Sequence, residues 1–283
     1  MASDTADDRV DAHDGRPHVG LFATCLVDIF RPQVGFAAVK LLEQSGCRVS
    51  VPLSQTCCGQ PAHNSGDRLS AREIAASVID LFEPFDYVVA PSGSCAAMIK
   101  CHYPDIFASD GKMAKRADRL ASRTYELISF LVDNRGLSEV TLDTSDQAPA
   151  QRETVVAYHD SCSGLRELKI HAQPRLLLGS ISGVELREFA DADICCGFGG
   201  TFCVKYPEIS NRMVEDKTAA ICASGATTLL GGDMGCLLNV AGKLKRLGSS
   251  VQTRHVAELL AGMADGPAIG EPATGEPATG EKD

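Results

Sequence analysis

Cys195-Cys196-Gly197-Phe198-Gly199-Gly200 joins two adjacent cysteines to a glycine-rich turn, and Cys57-Cys58-Gly59-Gln60-Pro61-Ala62 repeats its first three residues. A lone cysteine stands about 30 residues before each pair, and another stands 35 to 40 residues after it. The chain therefore contains two sets of four cysteines. The first set is Cys25, Cys57, Cys58 and Cys95, and the second set is Cys162, Cys195, Cys196 and Cys236.

The two sets mark an internal repeat. Corresponding cysteines are 137 to 141 residues apart, and a short apolar run comes before most of them. Strand-like runs alternate with helical segments, which predicts two pseudo-symmetric, Rossmann-like α/β halves with parallel sheets. Ligands bind beyond the carboxyl ends of the strands in such sheets, so we expect the cysteine loops to gather there.

The repeat also sets the expected domain boundaries. We expect a first cysteine-rich half at 18–140, a linker at 141–153 and a second cysteine-rich half at 154–263. The end segments are polar or of low complexity, and EPATG occurs twice near the C-terminus. Residues 1–17 and 264–283 are therefore predicted to be disordered tails.

Some individual helices can also be predicted. The charged stretch 112–134 favours one long helix. Ser70, with Glu73 three residues later, is typical of a capping box at a helix start. Apolar spacing predicts a helix at 33–44 with one buried face, formed by Val34, Ala37, Ala38, Leu41 and Leu42.

The composition is that of an ordinary globular protein. Of 283 residues, 44% are hydrophobic and 23% are charged, and the net charge of −10 lies mainly in the two ends. There is no sign of the basic surface that nucleic acid requires. No run of 18 apolar residues predicts a membrane helix, and residues 1–16 lack the apolar core of a secretory signal. We therefore expect a cytoplasmic protein.

Twelve cysteines in such a chain point to metal chemistry. The cytosol keeps thiols reduced, so clustered cysteines are expected to be metal ligands or redox catalysts. Four thiolates suit zinc or an iron–sulfur cluster. Zinc ribbons usually carry C-x2-C pairs, which neither set has, whereas adjacent cysteines can each bind a different iron. The following glycine allows a sharp turn, and helix starts at Cys95 and Cys236 would point N–H groups at a cluster.

Other residues have simpler interpretations. Cys47 and Cys222 are predicted to be small buried hydrophobes. Cys203 is a candidate extra ligand, the alternative for it and for Cys101 being a free buried thiol. His63 and His159 stand near ligand candidates in the sequence. Each is either a structural histidine, or a residue that hydrogen-bonds a cluster sulfur or serves as an alternative ligand. No nucleophile–base pair and no flavin motif occurs, so no catalytic residue is assigned.

Several motifs around the cysteines resemble a known family, the cysteine-rich CCG-domain iron–sulfur proteins. This family includes subunits of heterodisulfide reductase, glycolate oxidase and anaerobic glycerol-3-phosphate dehydrogenase, and the chain is most similar to the lactate-utilisation protein A branch. The resemblance covers about 18–260. It is carried by Leu21-Phe22-Ala23-Thr24-Cys25, Gln55-Thr56-Cys57-Cys58-Gly59-Gln60-Pro61-Ala62, Ser92-Gly93-Ser94-Cys95, Tyr158-His159-Asp160-Ser161-Cys162, Cys195-Cys196-Gly197-Phe198-Gly199-Gly200-Thr201-Phe202 and Lys205-Tyr206-Pro207-Glu208.

The resemblance implies an iron–sulfur electron-transfer component that acts with two other proteins, one of them ferredoxin-like, in oxidising L-lactate to pyruvate. The fullest form of the family motif has a fifth cysteine, where this chain has Met98 and Asn239. Four cysteines per half fit one [4Fe–4S] cluster each, and this departure disfavours heterodisulfide reduction. The eight cysteines are then the iron ligands.

The sequence is also compatible with other functions. The same motifs occur in glycolate and glycerol-3-phosphate oxidation and in thiol–disulfide reductases that act at a cluster. A zinc-stabilised, partner-binding module is an interpretation of another class. Because the chain offers no hydride acceptor, an oxidoreductase subunit without its own complete substrate site is favoured over a self-sufficient enzyme.

Overall fold

The computed structural model describes residues 15–142 and 154–272. The expected linker lies mostly outside these ranges, as do 1–14 and 273–283 of the expected tails. Within these ranges, eight strands form two four-stranded sheets. The strands are β1 (His18–Leu21), β2 (Arg48–Ser50), β3 (Tyr87–Ala90), β4 (Thr124–Glu126), β5 (Thr154–His159), β6 (Val184–Leu186), β7 (Thr228–Gly231) and β8 (Gln252–His255).

Both sheets have the same topology. Their strand orders are β2-β1-β3-β4 and β6-β5-β7-β8. Every pairing is parallel, as with Gly20 opposite Val88 in the first sheet and Ala157 opposite Leu229 in the second. The predicted fold, two α/β halves with parallel sheets, is confirmed.

Helices lie between the strands of both sheets. In the first half they are α1 (Cys25–Phe30), α2 (Pro32–Gln44), α3 (Gln60–Asn64), α4 (Arg68–Phe82), α5 (Gly93–Ala97), α6 (Tyr103–Ile106), α7 (Gly111–Ser122) and α8 (Leu127–Ser129), with π-helical turns at Met98–His102 and Phe130–Asn134. In the second half they are α9 (Cys162–Arg166), α10 (Ala172–Gly179), α11 (Phe202–Lys205), α12 (Pro207–Ala223), α13 (Met234–Arg246) and α14 (Val256–Leu260).

Apolar spacing decides which face of each long helix is buried. The buried residues of α2 are the five that the sequence predicts: Val34, Ala37, Ala38, Leu41 and Leu42. In α12 the buried face ends at Ile221, and the next residue, Cys222, is rotated away from the core by about 100°. Cys222 is therefore exposed, and the prediction that it is buried was wrong. Cys47 is buried as predicted.

The long helix expected at 112–134 does not form. Helix α7 ends at Ser122, and Thr124–Glu126 becomes the edge strand β4 beside β3. Just beyond the helix, the fully buried Thr124 donates its hydroxyl to the carbonyl of Leu120 at 2.7 Å. β-Branched and aromatic side chains such as Thr124 and Tyr125 suit a half-buried strand.

Two end assignments also differ from the sequence prediction. Helix α4 begins at Arg68, and its N-cap is Asp67, which accepts from the N–H of Ser70 at 3.1 Å, so Ser70 is not the cap. Part of the tail expected from 264 is instead packed on the fold, because Ala268 and Ile269 are buried and the Ile269 N–H donates to the Thr253 carbonyl at 2.9 Å.

The two halves share one apolar core. It joins residues of both sheets, such as Val19 and Val156. The last helix, α14, packs against α2 of the first half. Beside this contact, Arg31 forms a buried ion pair with Glu258 at 2.7 Å, and the Lys40 ammonium donates to the carbonyl of Ala261. The contacts hold the two sheets in a fixed relation.

No helix in the described ranges is both long enough and apolar enough to cross a membrane.

Candidate metal centre

Corresponding lone cysteines occupy equivalent positions in the two halves. Cys25 and Cys162 are the first residues of α1 and α9, which follow the central strands β1 and β5. Cys95 and Cys236 are each the third residue of the helix that follows β3 or β7. Because all these strands are parallel, their carboxyl ends bring the four cysteines to the expected edge of the sheets.

The adjacent cysteines lie in loops that a glycine shapes. Gly59 and Gly197 both have φ of +84°, a left-handed conformation that glycine adopts without strain. There is also no room for a side chain at Gly197, since a Cβ would lie 2.7 Å from the Ser210 carbonyl of α12. The expected sharp turn therefore forms, and it presses each loop against the helix behind it.

A side chain holds each of these loops from behind. The Tyr103 hydroxyl donates to the carbonyl of Cys58 at 2.8 Å, and the Asn239 amide donates to the carbonyl of Cys196 at the same distance. Asn239 stands where the fullest family motif has a fifth cysteine, so that position fixes the loop here. The corresponding residue of the first half, Met98, is fully buried in apolar surroundings.

The thiols within each set contact one another in the same order. In the first set, Cys58 Sγ lies 3.5 Å from Cys95 Sγ. Hydrogen bonds from Cys25 and Cys58 lower the pKa of Cys57. In the second set, hydrogen bonds from Cys162 and Cys196 lower the pKa of Cys195. The first member of each adjacent pair is thus the thiol that most readily becomes the thiolate a metal requires.

All eight cysteines line one cavity of about 320 Å³. Hydroxyl groups of Thr24, Ser92, Ser94, Ser161, Ser163 and Thr201 lie among the sulfur atoms. The converging thiols and the space between them fit sulfur-ligated metal.

The remaining cysteines are not part of the cavity lining. Cys203, the candidate extra ligand, has its Sγ 3.5 Å from the Gly200 carbonyl. Cys101 lies in the π-helical turn after α5 and is partly exposed. Burial raises the pKa of the Cys101 thiol, which opposes the formation of a thiolate.

Some of the helix N–H groups expected to face a cluster donate to side-chain oxygens instead. The Cys95 N–H donates to Ser92 Oγ at 3.3 Å, and the Gly235 N–H donates to Asp233 Oδ1 at 3.3 Å. Capping by side chains therefore satisfies these amides, as at most helix starts.

Asp233 connects the two cysteine sets. Its buried carboxylate caps α13 and also accepts from the Ser94 N–H at 2.9 Å and the Ser92 hydroxyl at 3.3 Å. Burial raises the pKa of Asp233. One side chain thus ties the start of the Cys95 helix to that of the Cys236 helix. Its N-cap position after β7 was the available sequence signal, but nothing local indicates the partner in the other half.

His159 is the titratable side chain nearest to the second set. It is fully buried, and a ring nitrogen, Cys196 Sγ and Cys236 Sγ all lie within 4.8 Å of one another. Among the described residues neither ring nitrogen makes a hydrogen bond of normal geometry, although the nearby backbone of Ala192 raises the pKa of the ring. Burial lowers the pKa of His159 to about 4, so the imidazole is neutral near pH 7. His63, by contrast, stacks near His102 and does not line the cavity.

Comparison with known proteins agrees with these features. The model of a family described as "CCG: Cysteine-rich domain" matches twice, at residues 19–100 and 156–241. The matches coincide with the two cysteine sets.

Curated relatives match over most of the chain. Lactate utilization protein A 2 of Bacillus mycoides (strain KBAB4) is 44% identical over 242 residues, which are 86% of this chain and 98% of the relative. Lactate utilization protein A of Bacillus cereus (strain G9842) is 43% identical, and that of Bacillus cytotoxicus is 44% identical, with the same coverage.

A solved structure shares the fold at low identity. The crystal structure of a hypothetical protein from Helicobacter pylori superposes with a TM-score of 0.59 and 14% identity, covering 90% of this chain. This chain spans about half (49%) of that protein, and the likeness concerns the fold alone.

Proposed function

The chain belongs to the cysteine-rich CCG domain family, and from this premise we propose that it is the iron–sulfur component of a system that oxidises L-lactate to pyruvate. The observation that carries the proposal is the convergence of two sets of four cysteines on one cavity. The substrate is inferred from the printed names of relatives that are 43% to 44% identical.

Each half, 18–140 and 154–263, is proposed to hold one [4Fe–4S] cluster through its own four cysteines. When bound, such a cluster supplies one-electron transfer. The thiols of Cys57 and Cys195 give up protons most readily, Tyr103 and Asn239 fix the loops that carry them, and Asp233 fixes the two sets relative to each other. These residues thus provide ligands and a rigid spacing.

Oxidation of the hydroxy acid is assigned to a partner. Oxidation of lactate to pyruvate removes two electrons and two protons, normally as a hydride and a separate proton, and the sequence carries no motif for a hydride acceptor. The chain is therefore proposed to be an electron-transfer member of a complex with two other proteins, one of them ferredoxin-like. A cytoplasmic location suits it, because thiolate ligands are preserved in a reducing compartment.

One distance supports a zinc site as the competing interpretation. A tetrahedral zinc with bonds of about 2.3 Å separates its sulfur ligands by roughly 3.8 Å. The 3.5 Å between Cys58 Sγ and Cys95 Sγ is close to that value. The absence of C-x2-C pairs and the family resemblance favour iron–sulfur clusters, and metal analysis distinguishes the two.

Growth of a deletion strain tests the substrate. A strain that lacks the gene for this chain should fail to grow on L-lactate as sole carbon source, should grow on glycolate and glycerol 3-phosphate, and should recover with the intact gene. A Cys195→Ser gene should not restore growth, whereas Cys47→Ser should. Normal growth of the deletion strain on L-lactate would overturn the assignment.

A further inference from the structure

The surroundings of the two cysteine sets differ at two equivalent positions. Phe22 precedes Cys25 by three residues, as His159 precedes Cys162, and both side chains are buried at the ends of the central strands. An apolar ring in the first half thus corresponds to an imidazole in the second.

The second difference comes from the helices behind the loops. The buried residues of α4 are Ala71, Ala75, Val78, Ile79 and Phe82, and those of α12 are Ser210, Val214, Lys217, Thr218 and Ile221. Every pair in this register is 139 residues apart. Lys217 therefore corresponds to Val78, so a cation replaces an isopropyl group.

Phe22 and Val78 form an apolar backing for the first set. Both belong to one hydrophobic cluster that also contains Cys58 and Cys95. The largest influences on the pKa of Cys25, apart from burial, are the thiols of its own set. No basic side chain contributes to these main effects.

Lys217 gives the second set a different environment. It is 2% exposed, and among the described residues it forms no salt bridge. Its ammonium donates to the carbonyls of Asp191 and Ala192, in the loop that leads to Cys195. Burial lowers the pKa of Lys217, whereas the thiol of Cys196, the carboxylate of Asp193 and the thiols of Cys162 and Cys236 raise it. The cation therefore acts electrostatically on three of the four thiols.

A cluster that takes up an electron becomes more negative by one charge. A nearby buried cation stabilises the reduced form most, and a hydrogen bond to a sulfur acts in the same direction. Lys217 provides the charge, and a ring nitrogen of His159 lies within 4.8 Å of both Cys196 Sγ and Cys236 Sγ. The first set has neither group, because Phe22 and Val78 take their places.

We propose that Lys217 and His159 give the second site the higher reduction potential of the two. An electron that enters the chain is then held by the second site. The inference rests on the proposed function, since it presupposes a cluster in each half. In the transfer the first site loses one electron and the second gains it, and no covalent bond is made or broken. The repeat thus provides two similar sites. The two differences between the halves, His159 in place of Phe22 and Lys217 in place of Val78, give the transfer a direction.

Redox titration of the anaerobically reconstituted full chain, followed by electron paramagnetic resonance, tests this inference. The wild type should be reduced in two steps, and Cys195→Ser should remove the step at higher potential. Lys217→Met should lower that step so that, at a fixed applied potential, the reduced-to-oxidised ratio of the second site falls at least tenfold. For one electron this is about 59 mV. His159→Phe, which installs the first-half residue, should lower it in the same direction.

The matched control places the same new residue in the first half. Val78→Met should leave the step at higher potential unchanged. Lys217→Gln keeps a donor near the two carbonyls and removes the charge, so it serves if Lys217→Met does not fold. Equal potentials in the two sites, loss of the lower step in Cys195→Ser, or an unshifted upper step in both Lys217 variants would overturn the inference while iron remains bound. Absence of iron and sulfide would instead defeat the proposed function itself.

Discussion

At the residue scale, the structure separates cysteines that line the cavity from one buried elsewhere. Cys57 faces the cavity, whereas Cys47 is fully buried beside the Ser45 hydroxyl and does not line it. Cys57→Ser should therefore lose about half of the bound iron, about four atoms, and Cys47→Ser should keep all of it. Iron content per chain after anaerobic reconstitution measures this. Equal loss in the two variants would contradict the assignment of ligands.

The burial of Glu126 predicts that the free energy of unfolding depends on pH. Its carboxylate is fully buried at the end of β4, where Oε2 accepts from the Ile128 and Ser129 N–H groups at 2.8 and 3.0 Å, while Oε1 has no partner among the described residues. Burial raises the pKa of Glu126 to about 8. From about pH 4 to 8 the unfolded chain releases a proton that the folded chain keeps, so this stabilisation is lost as the pH rises.

Glu126→Gln should remove that dependence. The amide oxygen still caps α8, and no charge is buried. At pH 8 the variant should exceed the wild type in free energy of unfolding by on the order of 1–3 kcal/mol, and near pH 4 the two should converge. Denaturant unfolding at several pH values measures the difference. A difference that is constant over this range would show that ionisation of Glu126 is not the cause.

Not every important residue could be predicted from sequence. The eight cysteines were identifiable because their spacing repeats, and the burial of Cys47 follows from its apolar neighbours. His159 was noticed, but its position beside both Cys196 and Cys236 depends on how elements distant in the sequence pack together. Asp233 was not predicted at all, because its partners Ser92 and Ser94 lie about 140 residues away in the sequence.

At the element scale, the backbone conformation of each adjacent-cysteine loop depends on its glycine. Gly197→Ala would place a Cβ 2.7 Å from the Ser210 carbonyl at φ of +84°. The backbone must shift, so the expected cost is about 1–3 kcal/mol, together with loss of cluster binding in the second half. Thermal unfolding and iron content measure the two effects.

Gly179 at the end of α10 provides the matched control. A Cβ there meets nothing within 4 Å, and φ is negative. Gly179→Ala should therefore leave the iron content unchanged and should stabilise the chain slightly, by roughly 0.4–1 kcal/mol. If Gly197→Ala behaves like Gly179→Ala, the loop is not constrained as described.

Most elements followed from local patterns, and the exceptions are short. The strand Tyr87–Ala90 coincides with an apolar run, and the helix Pro207–Ala223 begins at a proline, so both are marked in the sequence. The three-residue strand β4 was missed, since it is too short for alternation to appear and follows a charged helix. Its position depends on pairing with β3, a contact that is distant in the sequence.

At the scale of the whole molecule, one ion pair holds the last helix of the second half against the first half. Arg31 pairs with Glu258, whose side chain is fully buried, at 2.7 Å. Arg31→Leu removes the ion-pair partner of that carboxylate, which keeps the His255 N–H on its Oε2 at 3.1 Å, and should cost about 3–5 kcal/mol. Adding Glu258→Gln should recover part of the loss. Urea unfolding of the three proteins measures the effect, and no recovery in the double variant would argue against a buried-charge penalty.

The pseudo-symmetry was predictable from the cysteine spacing, but the shared core was not. A sequence repeat indicates two similar units, and each sheet falls within one of them. The packing of α14 against α2 and the bridge made by Asp233 join residues more than 130 positions apart. Such contacts are not visible in local periodicity, so the single cavity between the sets became apparent only from the structure.

The central claim is that two four-cysteine sets each hold an iron–sulfur cluster. Iron, acid-labile sulfide and zinc analysis of anaerobically purified full-length protein tests it most directly. We expect about eight irons and eight sulfides per chain, from two clusters of four. Zinc in place of iron, with no acid-labile sulfide, would contradict it.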